Sequence, residues 1–328
     1  IFSGRDTDVR EAPGFFDFPP YRLIQHFDTC NKACVKEACK QTKEYMMGNV
    51  YSYSAPLKDP MGILRRSPWV LAADPFQMTE FTWYISGQRW VAAYLIDTGE
   101  GLVLIDSGVP ESVYLLVSAI YRSGHRPEEI KHILISHAHF GHCGAAAAIK
   151  KMSGAEIWMS EQDLAFMKKF PEEVWFPGEG CEIQKFEPDR FYRDDEPIRL
   201  GRVSIRTLLT AGHTPGCTSF FWEERGADGR TYTVGMHGGV GPNTMSDEYY
   251  SRSKAMDGSL RLHYIEQMER LKKFHVDVTL PSHPNQIEIF DRAGIFADDR
   301  YAYVDPQIWP AFIERHQQQA KSLEGIAE

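Results

Sequence analysis

The chain has no uninterrupted apolar run of about 18 residues, so no helix in it is expected to span a bilayer. It has no excess of base. Against 45 Asp+Glu stand 36 Lys+Arg, a formal net charge of −9. A nucleic-acid binder would show a basic face, so that partner class is excluded. Cysteine is sparse: Cys30, Cys34, Cys39, Cys143, Cys181 and Cys217 in 328 residues are no disulfide framework. Cys30, Cys34 and Cys39 cluster without the C-x-x-C pairing of a zinc knuckle and read as small buried residues. No Gly-x-Ser-x-Gly nucleophile elbow and no phosphate-cradling glycine loop occurs. Repeats and low-complexity segments are also lacking. The chain starts at Ile1 rather than Met, which reads as a trimmed or processed start, although no signal peptide is visible. What remains is 43 % apolar and 25 % charged, an ordinary globular composition with length enough for one large domain or two.

Two textures divide the chain. Residues 1–70 hold an aromatic, proline-rich stretch, Ala12-Pro-Gly-Phe-Phe-Asp-Phe-Pro-Pro-Tyr21, and then a helical pattern from about Asp28 to Gly48. This segment is too thin in apolar residues to fold alone. It is expected to be an extension that serves as a lid or as an arm joining copies of the chain. Residues 71–328 alternate short apolar strands with helices, which predicts a layered α/β or α+β fold. Strands are expected at Val91–Ile96, Leu102–Ile105, His132–Ser136, Glu156–Met159, Val203–Leu209, Ser219–Glu223, Tyr232–Val234 and Val276–Leu280. Helices are expected at Pro110–Tyr121, Ala145–Met152, Gln162–Lys169, Leu260–Phe274 and Pro306–Ser322.

Three of the twelve histidines fall in Ser136-His-Ala-His-Phe-Gly-His142, where a strand of hydrophobes ends and a turn opens a helix. Strand ends are where α/β folds place their sites. Histidines at i, i+2 and i+5 in one turn are hard to explain as packing. Neutral imidazoles without a carboxylate among them suit zinc. His213, in Gly212-His-Thr-Pro-Gly-Cys-Thr-Ser219, and His283, in Pro281-Ser-His-Pro284, also stand just beyond strands. Each alone reads as an ordinary loop histidine; all five at strand-to-loop junctions read as convergence on one sheet edge. His26, His125, His132, His263, His275 and His316 have no motif around them and are expected at the surface. Cys143 and Cys217 are expected buried and inert.

These residues carry a resemblance. Leu104-Ile-Asp-Ser-Gly108, Ser136-His-Ala-His-Phe-Gly-His-Cys-Gly144, Gly212–Ser219 and Pro281–Pro284 resemble, in order and spacing, the metallo-β-lactamase superfamily, and most of all its third lactamase subclass. The resemblance runs from about Asp74 to the end and does not cover the extension. It implies a four-layer αββα sandwich of the α+β class with zinc, one or two ions per chain, along one edge. It further implies that His137, His139 and His213 hold the first ion, that His142 and His283 belong to the second, and that Asp106 supports them. The implied activity is a metallo-hydrolase whose metal-held hydroxide opens a β-lactam or similar cyclic amide. A lactone, ester or thioester is the alternative substrate. The implied partner is a small-molecule substrate, and subclass relatives imply a periplasmic or secreted location, with a cytoplasmic one not excluded.

One position departs from the pattern. The family has an aspartate, a ligand of the second ion, where this chain has Gly141. Either the second site is weakened, or another residue replaces the carboxylate, or the chain has lost hydrolysis and only binds a metal or ligand. His237, in Thr233-Val-Gly-Met-His-Gly-Gly-Val-Gly241, is the candidate replacement beside His142 and His283; otherwise it is a solvated loop residue. The same loop lacks the small hydroxyl residues that hold a lactam carboxylate in the subclass, and its glycines are expected to leave room or mobility.

Overall fold

Alternating apolar residues on two sets of strands build three cores, and three cores between layers require four layers. The computed structural model describes residues 60–175 and 184–323. The expected helix at Asp28–Gly48, the cysteine cluster, Cys181, and the role of residues 1–59 as lid or arm lie outside the described residues.

The first sheet has seven strands in sequential order: β1 (Phe76–Gln77), β2 (Thr82–Tyr84), β3 (Tyr94–Asp97), β4 (Leu102–Ile105), β5 (Ile130–Leu134), β6 (Glu156–Met159) and β7 (Arg190–Phe191). It is antiparallel from β1 to β4 and parallel from β4 to β7. The second sheet has five: β8 (Ile198–Leu200), β9 (Val203–Leu209), β10 (Thr218–Arg225), β11 (Thr231–Met236) and β12 (Val278–Leu280), in the order β12-β11-β10-β9-β8. Only β11 and β12 pair in parallel there.

Successive side chains of a strand point to opposite faces, so each strand feeds two cores. Tyr94 and Ile96 of β3, Val103 and Ile105 of β4, and Phe220 and Trp222 of β10 meet between the sheets. Leu95 and Leu104 face the other way, against Leu116 and Ile120 of helix Val113–Arg122, Ile149 of helix Ala146–Ser153 and Phe166 of helix Glu161–Lys169. Phe221 of β10 packs outward on Tyr264 and Met268 of helix Gly258–Leu271 and on Trp309 and Phe312 of helix Ile308–Ser322. The expected αββα sandwich is present. Leu64, on helix Pro60–Arg66, and Leu71 are buried in the first core.

Predicted and observed elements agree closely where periodicity is strong. β6 and β9 have their expected bounds, and the final helix starts two residues late, at Ile308. The four missed strands, β1, β2, β7 and β8, have two or three residues each, too few for alternation to show. Among the described residues no helix is long and apolar enough to cross a membrane.

What matters for the site is where strands end. β4 and β5 are parallel, and so are β11 and β12. Asp106 follows β4, the turn 135–142 follows β5, His213 follows β9, His237 follows β11, and His283 follows β12.

Candidate metal centre

Three imidazoles enclose a point. One ring nitrogen each from His137, His139 and His213 lies within 4.8 Å of the other two, and all three residues are buried. The His137 ring stands 4.9 Å from that of His139 and 4.8 Å from that of His213, both near perpendicular. His139 Nδ1 and His213 Nε2 face each other at 3.1 Å. Tetrahedral zinc with Zn–N near 2.0–2.1 Å has nitrogen–nitrogen edges of roughly 3.3 Å, so that pair already spans one edge.

Hydrogen bonds fix the tautomers. The Nδ1–H of His137 donates to the Gly238 carbonyl at 2.9 Å, and that of His213 to the Gly241 carbonyl at 2.9 Å. A neutral imidazole with a proton on Nδ1 presents a lone pair on Nε2. His137 Nε2 is buried without a hydrogen-bond partner among the described residues. An orphaned acceptor in that position costs free energy unless something binds it. Burial, reinforced by the neighbouring imidazoles, holds His137 and His139 well below the usual histidine range, and burial pushes His213 down to about 4. The rings are therefore neutral at pH 7, the form that ligates metal. The donor set fits a zinc ion.

A second pair of imidazoles stands beside the triad. The rings of His142 and His283 are 5.2 Å apart, and His142 lies 3.9 Å from His137. Their tautomers are fixed in the same sense: His142 Nδ1–H donates to Asp106 Oδ2 at 2.7 Å, and His283 Nδ1–H to the Trp90 carbonyl at 2.5 Å. Asp106 adopts φ 59°, a left-handed conformation rare for a residue with a side chain. That turn brings its carboxylate onto Ser136 N and Ser136 Oγ as well, both at 2.7 Å, and ties the end of β4 to the histidine turn.

Gly141 faces a filled space. A Cβ there would lie 3.1 Å from Val91 Cγ2 and 3.8 Å from Trp90 Cζ3.

His237 is neither solvated nor beside the pair. It is fully buried, with its ring 5.9 Å from that of Tyr264. Its Nδ1 accepts the Gly239 N–H at 3.2 Å, so the proton of the neutral ring sits on Nε2. Its Nδ1 is thus engaged, the reverse of the other four fixed rings, and its Nε2 is buried without a hydrogen-bond partner among the described residues. Burial and the charges of His316 and His213 push it down to about 3. With His142 and His283 it forms no three-ligand group among the described residues.

Two further expectations need correction. The glycines of the loop after β11 leave little room. A Cβ on Gly239 would meet His213 Cδ2 at 2.6 Å, and one on Gly238 would meet the Thr218 carbonyl oxygen at 2.2 Å. They are glycines because backbone must approach the triad closely enough for its carbonyls to hold two rings. His316, expected at the surface, is buried against Phe312 at 4.8 Å. Cys143 and Cys217 are buried as expected.

Two further polar residues matter here: Thr244, which the sequence offers as a nearby hydrogen-bonding side chain, and Asp163, which nothing in the sequence singled out. Asp163 is fully buried. It accepts Ala138 N–H at 2.8 Å, Thr214 Oγ1–H at 2.8 Å and Gly216 N–H at 2.6 Å. Ala138 lies between His137 and His139, and Thr214 adjoins His213, so one carboxylate clamps both ligand-bearing loops. Burial pushes its pKa up to about 6, against the pull of those donors. The only sequence signal is Ser160 capping the helix three residues before Asp163, which marks a helix start. Thr244 Oγ1 lies 2.9 Å from both His213 Nδ1 and the His213 carbonyl oxygen, which keeps that ring from turning.

Comparison with known proteins agrees with this geometry. A profile described as the metallo-beta-lactamase superfamily matches residues 87–283. A hydroxyacylglutathione hydrolase of Anaeromyxobacter dehalogenans (strain 2CP-C) is 27 % identical over 175 residues, 52 % of this chain and 58 % of its own. An N-acyl homoserine lactonase of Bacillus cereus is 26 % identical over 157 residues, 40 % of this chain and 58 % of its own. The chain thus spans little more than half the length of these curated relatives. Among solved structures, the subclass B3 metallo-beta-lactamase BJP-1 of Bradyrhizobium japonicum superposes with a TM-score of 0.66 at 24 % identity, covering 79 % of this chain and 99 % of its own.

Proposed function

The chain belongs to the metallo-β-lactamase superfamily, and from that premise we propose that it is a metallo-hydrolase that uses zinc to hydrolyse a carbonyl–heteroatom bond in a small molecule. The observation that carries this reading is the triad: three buried imidazole nitrogens within 4.8 Å of one another, two of them 3.1 Å apart. His137, His139 and His213 would hold the ion. Zinc in such a site lowers the pKa of a bound water from 15.7 to about 7 and polarises a carbonyl. The protein's own part is to keep the three rings neutral by burial and to lock their directions. The Gly238 and Gly241 carbonyls and Thr244 do this from one side. Asp163 holds the loops from the other. Trp90, whose ring contacts His283 and Phe140, borders the site and offers an apolar face to substrate.

A β-lactam is the leading substrate, because the motifs at the site resemble those of the third lactamase subclass. A lactone or thioester is the second reading. It is favoured by the activities named for the two curated relatives and by the lack of a hydroxyl side chain across Gly238-Gly-Val-Gly241. The test is turnover of nitrocefin beside a lactone and a thioester panel, before chelation, after it, and after zinc is restored. Chelator-sensitive, zinc-restored hydrolysis of nitrocefin supports the leading reading, and the same behaviour on lactones or thioesters alone reverses the ranking. No metal-dependent hydrolysis of any of them would refute the proposal.

A further inference from the structure

The family pattern implies a second ion beside His142 and His283. The residues at that position do not fit one. A catalytic zinc takes three protein ligands and a structural zinc four. The pair supplies two. The third ligand would have to come from position 141, which has no side chain, or from His237. The latter keeps its Nδ1 engaged with Gly239 N–H and its proton on Nε2.

The space is also closed. The Cβ direction at Gly141 points at Val91 Cγ2, 3.1 Å away, with the Trp90 ring just beyond at 3.8 Å. Such a contact is admissible only if the neighbour can retreat. Val91 is fully buried, and its backbone cannot do so cheaply. Its turn is pinned by fully buried Gln88, whose Oε1 accepts Trp90 N–H at 2.6 Å and Val91 N–H at 3.2 Å and whose Nε2 donates to the Val91 carbonyl at 3.0 Å. Ser86 Oγ–H donates to that same carbonyl at 2.5 Å. The next residue is bound to the His283 loop through Ala92 N–H to the Ser282 carbonyl at 2.9 Å. The wall that replaces the missing carboxylate is thus part of the framework that holds His283.

We infer that the chain binds one ion, at the triad, and that His142 and His283 form a metal-free pair. Both of these rings have Nδ1–H committed to a protein acceptor, so both turn an Nε2 lone pair outward. Two neighbouring acceptors beside the Trp90 ring suit a hydrogen-bond donor of the substrate, an N–H or O–H next to the carbonyl under attack. This deepens the proposed function and rests on it.

The test counts ions without using turnover. Metal-free full-length chain is titrated with cobalt(II) and followed by its visible ligand-field spectrum. Zinc content after equilibration in a metal buffer is measured in parallel. One equivalent with a tetrahedral spectrum is expected. A second tightly bound equivalent overturns the inference and leaves the proposed function standing. Failure to bind any ion overturns the proposed function itself. His283→Ala is expected to keep one equivalent, with affinity changed less than about threefold, against the 10–100-fold typical of lost metal-supporting residues. Loss of the ion in that variant overturns the inference. Gly141→Asp alone is expected to stay at one equivalent, and Gly141→Asp with Val91→Ala to reach two. A second equivalent in Gly141→Asp alone, or none gained in the double variant, shows that Val91 is not the barrier.

Discussion

His139 and His142 lie three residues apart on one turn and end in different surroundings. His139 joins His137 and His213 around a point that two loops converge on. His142 joins only His283, and the side of that pair where a carboxylate would stand is walled by Val91 and Trp90. The rings themselves differ little: His137, His213, His142 and His283 all donate from Nδ1 and present Nε2. What separates metal site from non-site is therefore the number of lone pairs that meet and the space between them. Burial does not make the distinction.

The comparison can be broken most forcefully at the triad. His139→Ala leaves two ligands at the first position, as at the second. Bound zinc is expected to fall to background and hydrolysis by about 10³-fold, since the ion is worth several kcal/mol of transition-state stabilisation. Elemental analysis and turnover of the best panel substrate measure both. Retained zinc would remove His139 from the ligand set.

Next in size is the clamp. Asp163→Ala strands Ala138 N–H, Thr214 Oγ1 and Gly216 N–H in the interior, each at about 1–3 kcal/mol if unsatisfied. Zinc affinity, read by chelator competition, is expected to drop about 10–100-fold, with a lowered unfolding midpoint. His142→Asn is expected to lower activity while leaving that affinity within about threefold. If the two variants weaken zinc equally, the distinction between triad and pair is lost.

Acid sharpens the same contrast by a smaller amount. Burial holds His213 at about 4 and His283 and His237 at about 3, against 6.5 when unfolded. Between those values the unfolded chain binds protons that the folded chain refuses, so stability falls as pH drops from 6.5 towards 4. The slope is roughly 1.4 kcal/mol per pH unit per group. Asp163 works in the opposite direction. Its folded pKa of about 6 lies above the unfolded 3.8, so its contribution is lost as pH rises through that interval. Denaturation of the metal-free chain at pH 7.5, 6 and 5 is expected to show net loss towards acid, and His213→Ala to flatten the slope. An unchanged slope would mean that the ring is not buried neutral.

The smallest effect is expected at Thr244. Thr244→Val removes one contact to His213 Nδ1 while the Gly241 carbonyl remains, worth about 1 kcal/mol. Zinc affinity should weaken by only a few-fold in chelator competition.

Much of this was legible in the sequence. Strong periodicity placed β6, β9 and the long helices, and strand-end histidines placed His137, His139, His142, His213 and His283 on one edge. Gly141 was visible as the odd residue. That it weakens the second site or calls for a replacement was legible too, but the wall opposite it was not, because that wall comes from Val91 and Trp90, some fifty residues earlier. A tautomer is likewise invisible in sequence. His237 reads like another ligand until the Gly239 amide is seen donating to its Nδ1. Asp163 reads as the first turn of a solvated helix, and only folding carries it between the two ligand loops. The glycines after β11 suggested space, where close approach of their backbone to His213 was the reason for them.

Anomalous diffraction from crystals grown with zinc, collected on both sides of its absorption edge, tests the central claim most directly. One strong peak, within bonding distance of His137 Nε2, His139 Nδ1 and His213 Nε2 and with nothing between His142 and His283, is the predicted result. Two peaks of comparable height, or a peak at the pair with none at the triad, would contradict it.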